Sequence, residues 1–171
     1  WIGALGKPTE MTFARVEDPK NASNHVLKLT DREGQEATAN YDVSGKLQAG
    51  KKYTLSGKIY YDQGADTTAT FNLTFQNGAD YNFNKTFWGA ISGKKGEWTD
   101  FTFEYTPEAG EKFTTTRNVF FLEGGEYTEG ETKKYMDIYL DDISLKGPKL
   151  PGGGDNPGGG DNPGGDNPGQ E

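Results

Sequence analysis

The sequence predicts an antiparallel β-sandwich with jelly-roll connections over residues 1–147, followed by a flexible linker over residues 148–171. Three observations favour this all-β class. Short segments alternate apolar and polar residues, and clusters of Gly, Asn and Asp separate them at regular spacing. Aromatic residues make up 13% of the chain beside 25 glycines, a composition typical of β proteins. No segment shows a sustained helical period, so we expect strands without helices.

The alternation predicts eight strands. In chain order they are Met11–Glu17, Asn24–Thr30, Tyr53–Tyr61, Thr68–Gln76, Tyr81–Trp88, Trp98–Thr106, Thr116–Glu123 and Tyr135–Lys146. The fourth is the clearest, because Phe71 and Leu73 alternate with Asn72 and Thr74. Residues 31–47 form a long connection that leads into a short edge strand, and Pro107 ends the sixth strand.

The C-terminal tail has a composition of its own. After Gly147 and Pro148, repeats of Gly-Gly-Gly-Asp-Asn-Pro contain no residue able to form a core. Such a sequence behaves as a flexible, solvated tether with an average span of roughly 25 Å. We therefore expect it to join this domain to another module, a covalently linked catalytic domain.

Composition and charge exclude several classes of function. The net charge of −8 without a basic patch argues against nucleic-acid binding. No apolar run is long enough to span a bilayer, and we expect no signal peptide in this sequence. The absence of cysteine excludes thiol catalysis and zinc-thiolate sites, and His25 is the single histidine. We expect a monomer that does not insert into membranes.

The carboxylates offer two hypotheses. The many glutamates would allow a glycoside hydrolase with a facing carboxylate pair, but the sequence singles out no such pair. Asp141 and Asp142 lie inside an apolar strand, where each carboxylate needs a partner. Calcium, a hard cation with oxygen ligands, would be one partner. A bulged edge strand, with one carboxylate solvated and the other bonded to backbone amides, explains the pair equally well.

One polar strand face combines amides with aromatic rings nearby. Asn72 and Gln76 lie on the polar side of their strand, and we expect Tyr60 to project from the polar side of its neighbour. Tyr81 and Trp88 follow in the next segment, with Trp88 beside a glycine. A sugar stacks its apolar C–H face on aromatic rings and bonds its hydroxyls to amides or carboxylates. The pattern indicates a carbohydrate-binding face, although core aromatics or a solvated face without ligand would also explain it.

Several stretches in the same order resemble the family 22 carbohydrate-binding modules and their relatives in families 4, 9 and 16. They are Trp1–Gly6, His25–Arg32, Tyr41–Leu47 with Ala49–Ser56, Gly96–Thr99, Phe120–Glu123 and Ile138–Leu145. The resemblance covers most of residues 1–146. It implies a non-catalytic jelly roll that binds xylan or mixed-linkage β-glucan in a cleft on its concave sheet. It also implies a structural calcium ion and a secreted or cell-surface bacterial parent enzyme, an endo-β-1,4-xylanase.

The resemblance also implies roles for individual residues. Arg32, Tyr81 and Glu123 fall on binding positions of the family, and Asp142 falls on a calcium ligand. Phe121 stands where the family has a tyrosine.

The chain departs from the family pattern at a binding-site tryptophan, whose place is taken by Glu36, and Trp88 is the candidate substitute. The family's first-strand Phe-Glu pair, which supplies another calcium ligand, has no counterpart here. We therefore expect Tyr81 and Trp88 to stack on sugar rings and Phe121 to line the cleft.

Four polar side chains would bond the sugar hydroxyls: Glu123, Gln76, Asn72 and Arg32. The alternatives are a structural spacer without sugar affinity and a small glycan-active enzyme. A spacer would bury the aromatic rings, and an enzyme would place two carboxylates in the groove.

Overall fold

The structure is a computed structural model, and it describes residues 11–77, 83–108 and 118–148. These residues form antiparallel strands without a helix, as the sequence predicts. The strands in chain order are β1 (Thr12–Asp18), β2 (Asn21–Thr30), β3 (Tyr41–Asp42), β4 (Tyr53–Tyr60), β5 (Thr68–Asn77), β6 (Phe83–Lys94), β7 (Thr99–Tyr105), β8 (Asn118–Gly124), β9 (Glu126–Glu129), β10 (Thr132–Tyr135) and β11 (Ile138–Lys146). In these ranges no helix has the length and apolar character needed to cross a bilayer.

Two sheets form the sandwich. The five-stranded sheet has the order β1-β2-β11-β4-β7, and the four-stranded sheet has the order β3-β8-β5-β6. Strands far apart in sequence are neighbours in both sheets, because the chain crosses repeatedly from one sheet to the other. This connectivity agrees with the predicted jelly roll.

The core lies between the two sheets and is filled by the inward-facing residue of each alternating pair. Three rings mark its centre. Phe75 lies 5.1 Å from Phe120 and 5.4 Å from Tyr105 between ring centroids, and Tyr105 lies 5.7 Å from Phe120. Burying one such side chain stabilises the fold by about 1.5–3 kcal/mol. The alternation of β5 therefore determines which of its faces stays available outside the core.

The structure adds two features that the sequence did not predict. Strands β9 and β10 form a separate hairpin, and its many charged residues hide any apolar alternation. Lys133 pairs with Glu126 at 2.5 Å, and Lys134 pairs with Glu129. Strand β6 also continues to Lys94, past the predicted end at Trp88, because residues 88–90 form a bulge rather than a turn. The predicted domain boundary between residues 147 and 148 stays a prediction.

Candidate functional site

The outer face of the four-stranded sheet carries most of the predicted binding residues. Phe71, Leu73 and Phe75 of β5 enter the core, so the residues between them point the other way. In the register, Asn72 lies opposite Glu123 and Thr74 lies opposite both Phe121 and Thr86. We call this surface the candidate face. It consists of Asn72, Thr74, Gln76, Thr86, Trp88, Phe121 and Glu123.

A bulge in β6 raises Trp88 from the candidate face. Phe71 pairs with Ile91 and Leu73 pairs with Phe87, so three residues of β6 face Asn72 alone. Gly89 in the middle has φ of +67°, a conformation that favours glycine. The Trp88 side chain follows the core residue Phe87 and is 75% exposed. An exposed indole on an irregular strand is unusual for packing alone and suits a ligand contact.

Hydroxyl and carboxylate groups form a short chain across the middle of this face. The Thr74 hydroxyl donates to Glu123 Oε2 at 2.9 Å, and its oxygen lies 2.9 Å from the Thr86 hydroxyl. Since Thr74 has one hydroxyl proton, Thr86 must be the donor in that second contact. Burial raises the pKa of Glu123, the bond from Thr74 opposes this shift, and the nearby charge of Glu36 adds to it. These hydrogen bonds hold the Glu123 carboxylate in one orientation.

Gln76 lies further along β5 and is only 5% exposed. Its amide oxygen has no hydrogen-bond partner among the described residues. A buried acceptor without a partner costs about 1–3 kcal/mol. A water molecule or a ligand hydroxyl that reached this oxygen would remove that cost, although the atom is closed off from solvent in the structure.

Arg32 serves a scaffold role in the structure. It is 6% exposed, and its guanidinium nitrogens donate to the backbone oxygens of Ala37, Met136, Gln35 and Gly124 at 2.6–3.1 Å. Burial lowers its pKa to about 10. These bonds hold residues 32–37 against the end of β8, beside the candidate face. A direct sugar contact from Arg32 stays a prediction.

Tyr60 corrects one expectation. Its strand, β4, belongs to the five-stranded sheet and is not a neighbour of β5. The side chain is 5% exposed and packs against Trp98 and Tyr139, with centroid distances of 5.6 and 5.4 Å. The expectation that Tyr60 projects from a strand next to β5 is therefore wrong, and a contact between Tyr60 and a sugar stays a prediction. Alternation shows which face of a strand a residue occupies, but not to which sheet the strand belongs.

We call the outer face of the five-stranded sheet the paired face. It contains Asp18, Asn24, Lys28, Lys58, Tyr60, Trp98, Tyr139 and Asp141.

Tyr81, the other aromatic residue predicted to stack on sugars, lies outside the described residues.

Asp141 and Asp142 lie at a bulge of β11, which is a central strand and not the edge strand considered from the sequence. Asp141 accepts a hydrogen bond from Asn24 Nδ2 at 2.9 Å and another from the backbone N–H of Asp142 at 2.9 Å. Asp142 pairs with Lys58 Nζ at 2.6 Å. In the parts of the chain that are described, no three acidic or histidine side chains converge as a metal site. An ammonium partner does not fit a calcium donor set, and the calcium prediction stays untested.

Sequence reasoning missed Thr86 and the bulge. The available signal was Gly89, because a glycine inside a strand often marks a bulge. The structure brings together Asn72, Gln76, Trp88, Phe121 and Glu123, and it places Arg32 behind their edge.

Comparison with known proteins supports a binding domain. A family model described as a carbohydrate binding domain, of the CBM 4 and 9 type, matches residues 4–129. No curated protein matches the chain.

Solved structures of similar fold are also carbohydrate-binding modules. The CBM22-2 xylan-binding domain from Paenibacillus barcinonensis Xyn10C has a TM-score of 0.63 at 18% identity, over 85% of this chain and 94% of that chain. The CBM22-1–GH10 modules of Clostridium thermocellum xylanase 10B, complexed with xylohexaose, have a TM-score of 0.61 at 16% identity, over 90% of this chain and 27% of that chain. A CBM4 structure has a TM-score of 0.52 at 19% identity, over 85% and 84%. At these identities the likeness establishes the fold.

Proposed function

The chain belongs to the carbohydrate-binding domain family of the CBM 4 and 9 type, and from this premise we propose that its candidate face binds a xylan-type β-1,4-linked polysaccharide. The domain is a binding module and not a catalytic domain. The observation that carries the proposal is the 75% exposed indole of Trp88, raised by a bulge beside buried, oriented polar groups.

The chemistry of the face matches a neutral sugar chain. The indole of Trp88 offers a flat apolar surface for the C–H face of a pyranose ring. Glu123, oriented by Thr74, accepts bonds from hydroxyls, and the amide oxygen of Gln76 accepts another. Phe121, only 5% exposed, supports the centre of the face from beneath. Glu36 and Glu123 together disfavour anionic ligands at that end.

We favour xylan over mixed-linkage β-glucan as the ligand, because the similar solved structures whose descriptions name a ligand name xylan or xylohexaose. The spacer alternative is less well supported, since a spacer has no need of an exposed tryptophan on a strand.

The proposal extends to the context of the domain. The Gly- and Pro-rich sequence of residues 148–171 is suited to tethering a glycoside hydrolase, in our proposal an endo-β-1,4-xylanase. Such a tether keeps the enzyme near its substrate by effective concentration. Because the substrate is plant cell-wall polysaccharide, we place the protein outside a bacterial cell, secreted or on the surface. Calcium is not part of the proposal, since Asp142 pairs with Lys58.

Calorimetric titration of the 171-residue chain with soluble arabinoxylan tests the proposal, with barley β-glucan and galactomannan as comparators. We expect saturable binding that is strongest for arabinoxylan. Trp88→Ala should weaken it at least about tenfold, because a lost stacking contact is worth more than about 1.4 kcal/mol.

Phe13→Ala is the matched control, since Phe13 is also an exposed ring but lies on β1 in the other sheet. It should leave the affinity unchanged. Equal losses in both variants would show that the ring on the candidate face has no special role. No heat with any glycan would reject binding and favour the spacer.

A further inference from the structure

We propose that Asn72 is a positioning residue for Trp88, acting through the backbone of Gly89 rather than by bonding a sugar hydroxyl. The inference rests on the proposed function, in which Trp88 stacks on a glycan. It assigns to Asn72 a role different from the direct hydroxyl contact that the sequence suggests.

The geometry of the bulge supports this role. Trp88, Gly89 and Ala90 occupy the space opposite the single residue Asn72. The Gly89 backbone N–H donates to Asn72 Oδ1 at 2.9 Å. Since a backbone N–H can only donate, the side-chain atom facing it must be the amide oxygen. The Asn72 amide oxygen thus already accepts one hydrogen bond from the centre of the bulge.

This bond replaces a missing connection between the strands. In a regular ladder the backbone partners of β5 and β6 would hold each residue, but the bulged residues are out of register. The Asn72 side chain ties the centre of the bulge to β5. Gly89 supplies the left-handed φ of +67° that the bend requires. The path of the backbone on either side of Gly89 therefore depends on one side-chain hydrogen bond and one glycine.

Trp88 depends on that backbone more than a packed ring would. Its side chain is 75% exposed, and the structure gives it no ring contact or hydrogen bond with another described residue. Its orientation is set by the bulge rather than by neighbouring side chains. A change in the Gly89 peptide should move the indole and alter how it meets a sugar ring.

Hydrogen exchange tests the structural part without a ligand. In the full chain the Gly89 amide proton should exchange slowly, and in Asn72→Ala it should exchange at least about tenfold faster at unchanged global stability. Equal Gly89 exchange rates in the two proteins would overturn the proposal. This measurement stands even if no glycan binds, whereas the proposed function would then fail.

A double-mutant cycle with arabinoxylan tests the functional part. Asn72→Ala should weaken binding roughly threefold to tenfold in the wild-type background and less than about twofold in the Trp88→Ala background. Gln76→Ala is the matched control, because Gln76 lies on the same strand and face but pairs with Asn84 and Val119, away from the bulge at residues 88–90. The loss of arabinoxylan affinity caused by Gln76→Ala should be the same in the wild-type and Trp88→Ala backgrounds. If Asn72→Ala also weakens binding equally in both, Asn72 bonds the sugar directly and the proposal is wrong.

Discussion

The two outer faces of the sandwich contain the same kinds of side chain, but they differ in how fully their tryptophan and one of their amides are engaged. On the paired face, Trp98 Nε1 donates to Asp18 at 2.9 Å, and Tyr60 packs against the Trp98 ring. Asn24 donates to both Asp18 and Asp141. On the candidate face, Trp88 is exposed and the amide oxygen of Gln76 has no partner among the described residues.

The difference shows how residue composition alone can mislead. Aromatic, amide and carboxylate groups stabilise a fold when they satisfy one another, as on the paired face. The same groups form a binding surface when the fold holds them in place without completing their contacts. Removing a residue from the paired face should therefore affect folding, and removing one from the candidate face should affect binding.

The largest expected effect separates the two faces by stability. Tyr60→Ala should lower the free energy of unfolding by about 3–5 kcal/mol, because a buried ring with two aromatic neighbours is lost. Trp88→Ala should change it by less than about 0.5 kcal/mol, since that ring is exposed. Urea denaturation of both variants measures the contrast. A destabilised Trp88→Ala protein would mean that its ring belongs to the fold.

Arg32 lies beside the candidate face, but we expect its removal to affect folding more than binding. Arg32→Ala should lower the free energy of unfolding by about 2–3 kcal/mol, because buried backbone carbonyls lose a charged donor. Arg32→Lys should recover little, since one ammonium cannot reach all the carbonyls that the guanidinium bridges. Thermal and urea denaturation, with calorimetry on the folded protein, distinguish the roles. Weaker xylan binding at unchanged stability would restore the sugar contact predicted from the sequence.

The Glu123 carboxyl should give the candidate face a characteristic pH dependence. Burial raises the pKa of Glu123 in the folded protein, so the folded state binds more protons than the unfolded state. The wild-type protein should therefore gain stability relative to Glu123→Gln as the pH falls from neutral through this raised pKa. Denaturation of both proteins across that range measures the difference. A constant difference would show that Glu123 titrates like an exposed carboxyl.

The smallest effect has the opposite sign and belongs to the paired face. Burial acts to raise the pKa of Asp18, but hydrogen bonds from the Lys20 backbone, Trp98 and Asn24 outweigh it and lower that pKa. Its contribution is therefore present above the pKa of the unfolded state and lost as the pH falls through the lowered folded value. Asp18→Asn should remove this loss at low pH. If the stability differences of the Asp18 and Glu123 variants from wild type changed with pH in the same direction, the two faces would not differ electrostatically.

Most of the fold could be predicted from local pattern. The alternation of Phe71, Leu73 and Phe75 identified both the strand and its core face, because side-chain direction in a strand has a period of two. The hairpin of β9 and β10 escaped prediction, since charged ion pairs rather than apolar alternation distinguish its residues.

The candidate site was predictable only in part. Residues on β5 and β8 could be assigned to one face from alternation and resemblance, and the structure places Asn72, Gln76, Phe121 and Glu123 together. Tyr60 also lies on the polar side of an alternating strand, but that strand belongs to the other sheet. The role of Arg32 was hidden as well, because two of its four acceptors, Gly124 and Met136, lie 92 and 104 residues from it along the chain.

The sequence by itself determined the all-β class, the core-facing residues and the family, because these depend on local periodicity and on motifs in order. Only the tertiary structure decided which aromatic rings are free and which polar groups already have partners. Sheet membership and the bulge at Gly89 arise from pairing between distant strands. Trp88 and Trp98 are the same residue type, and only the folded structure shows that the first is exposed and that the second is bonded to Asp18 of a distant strand.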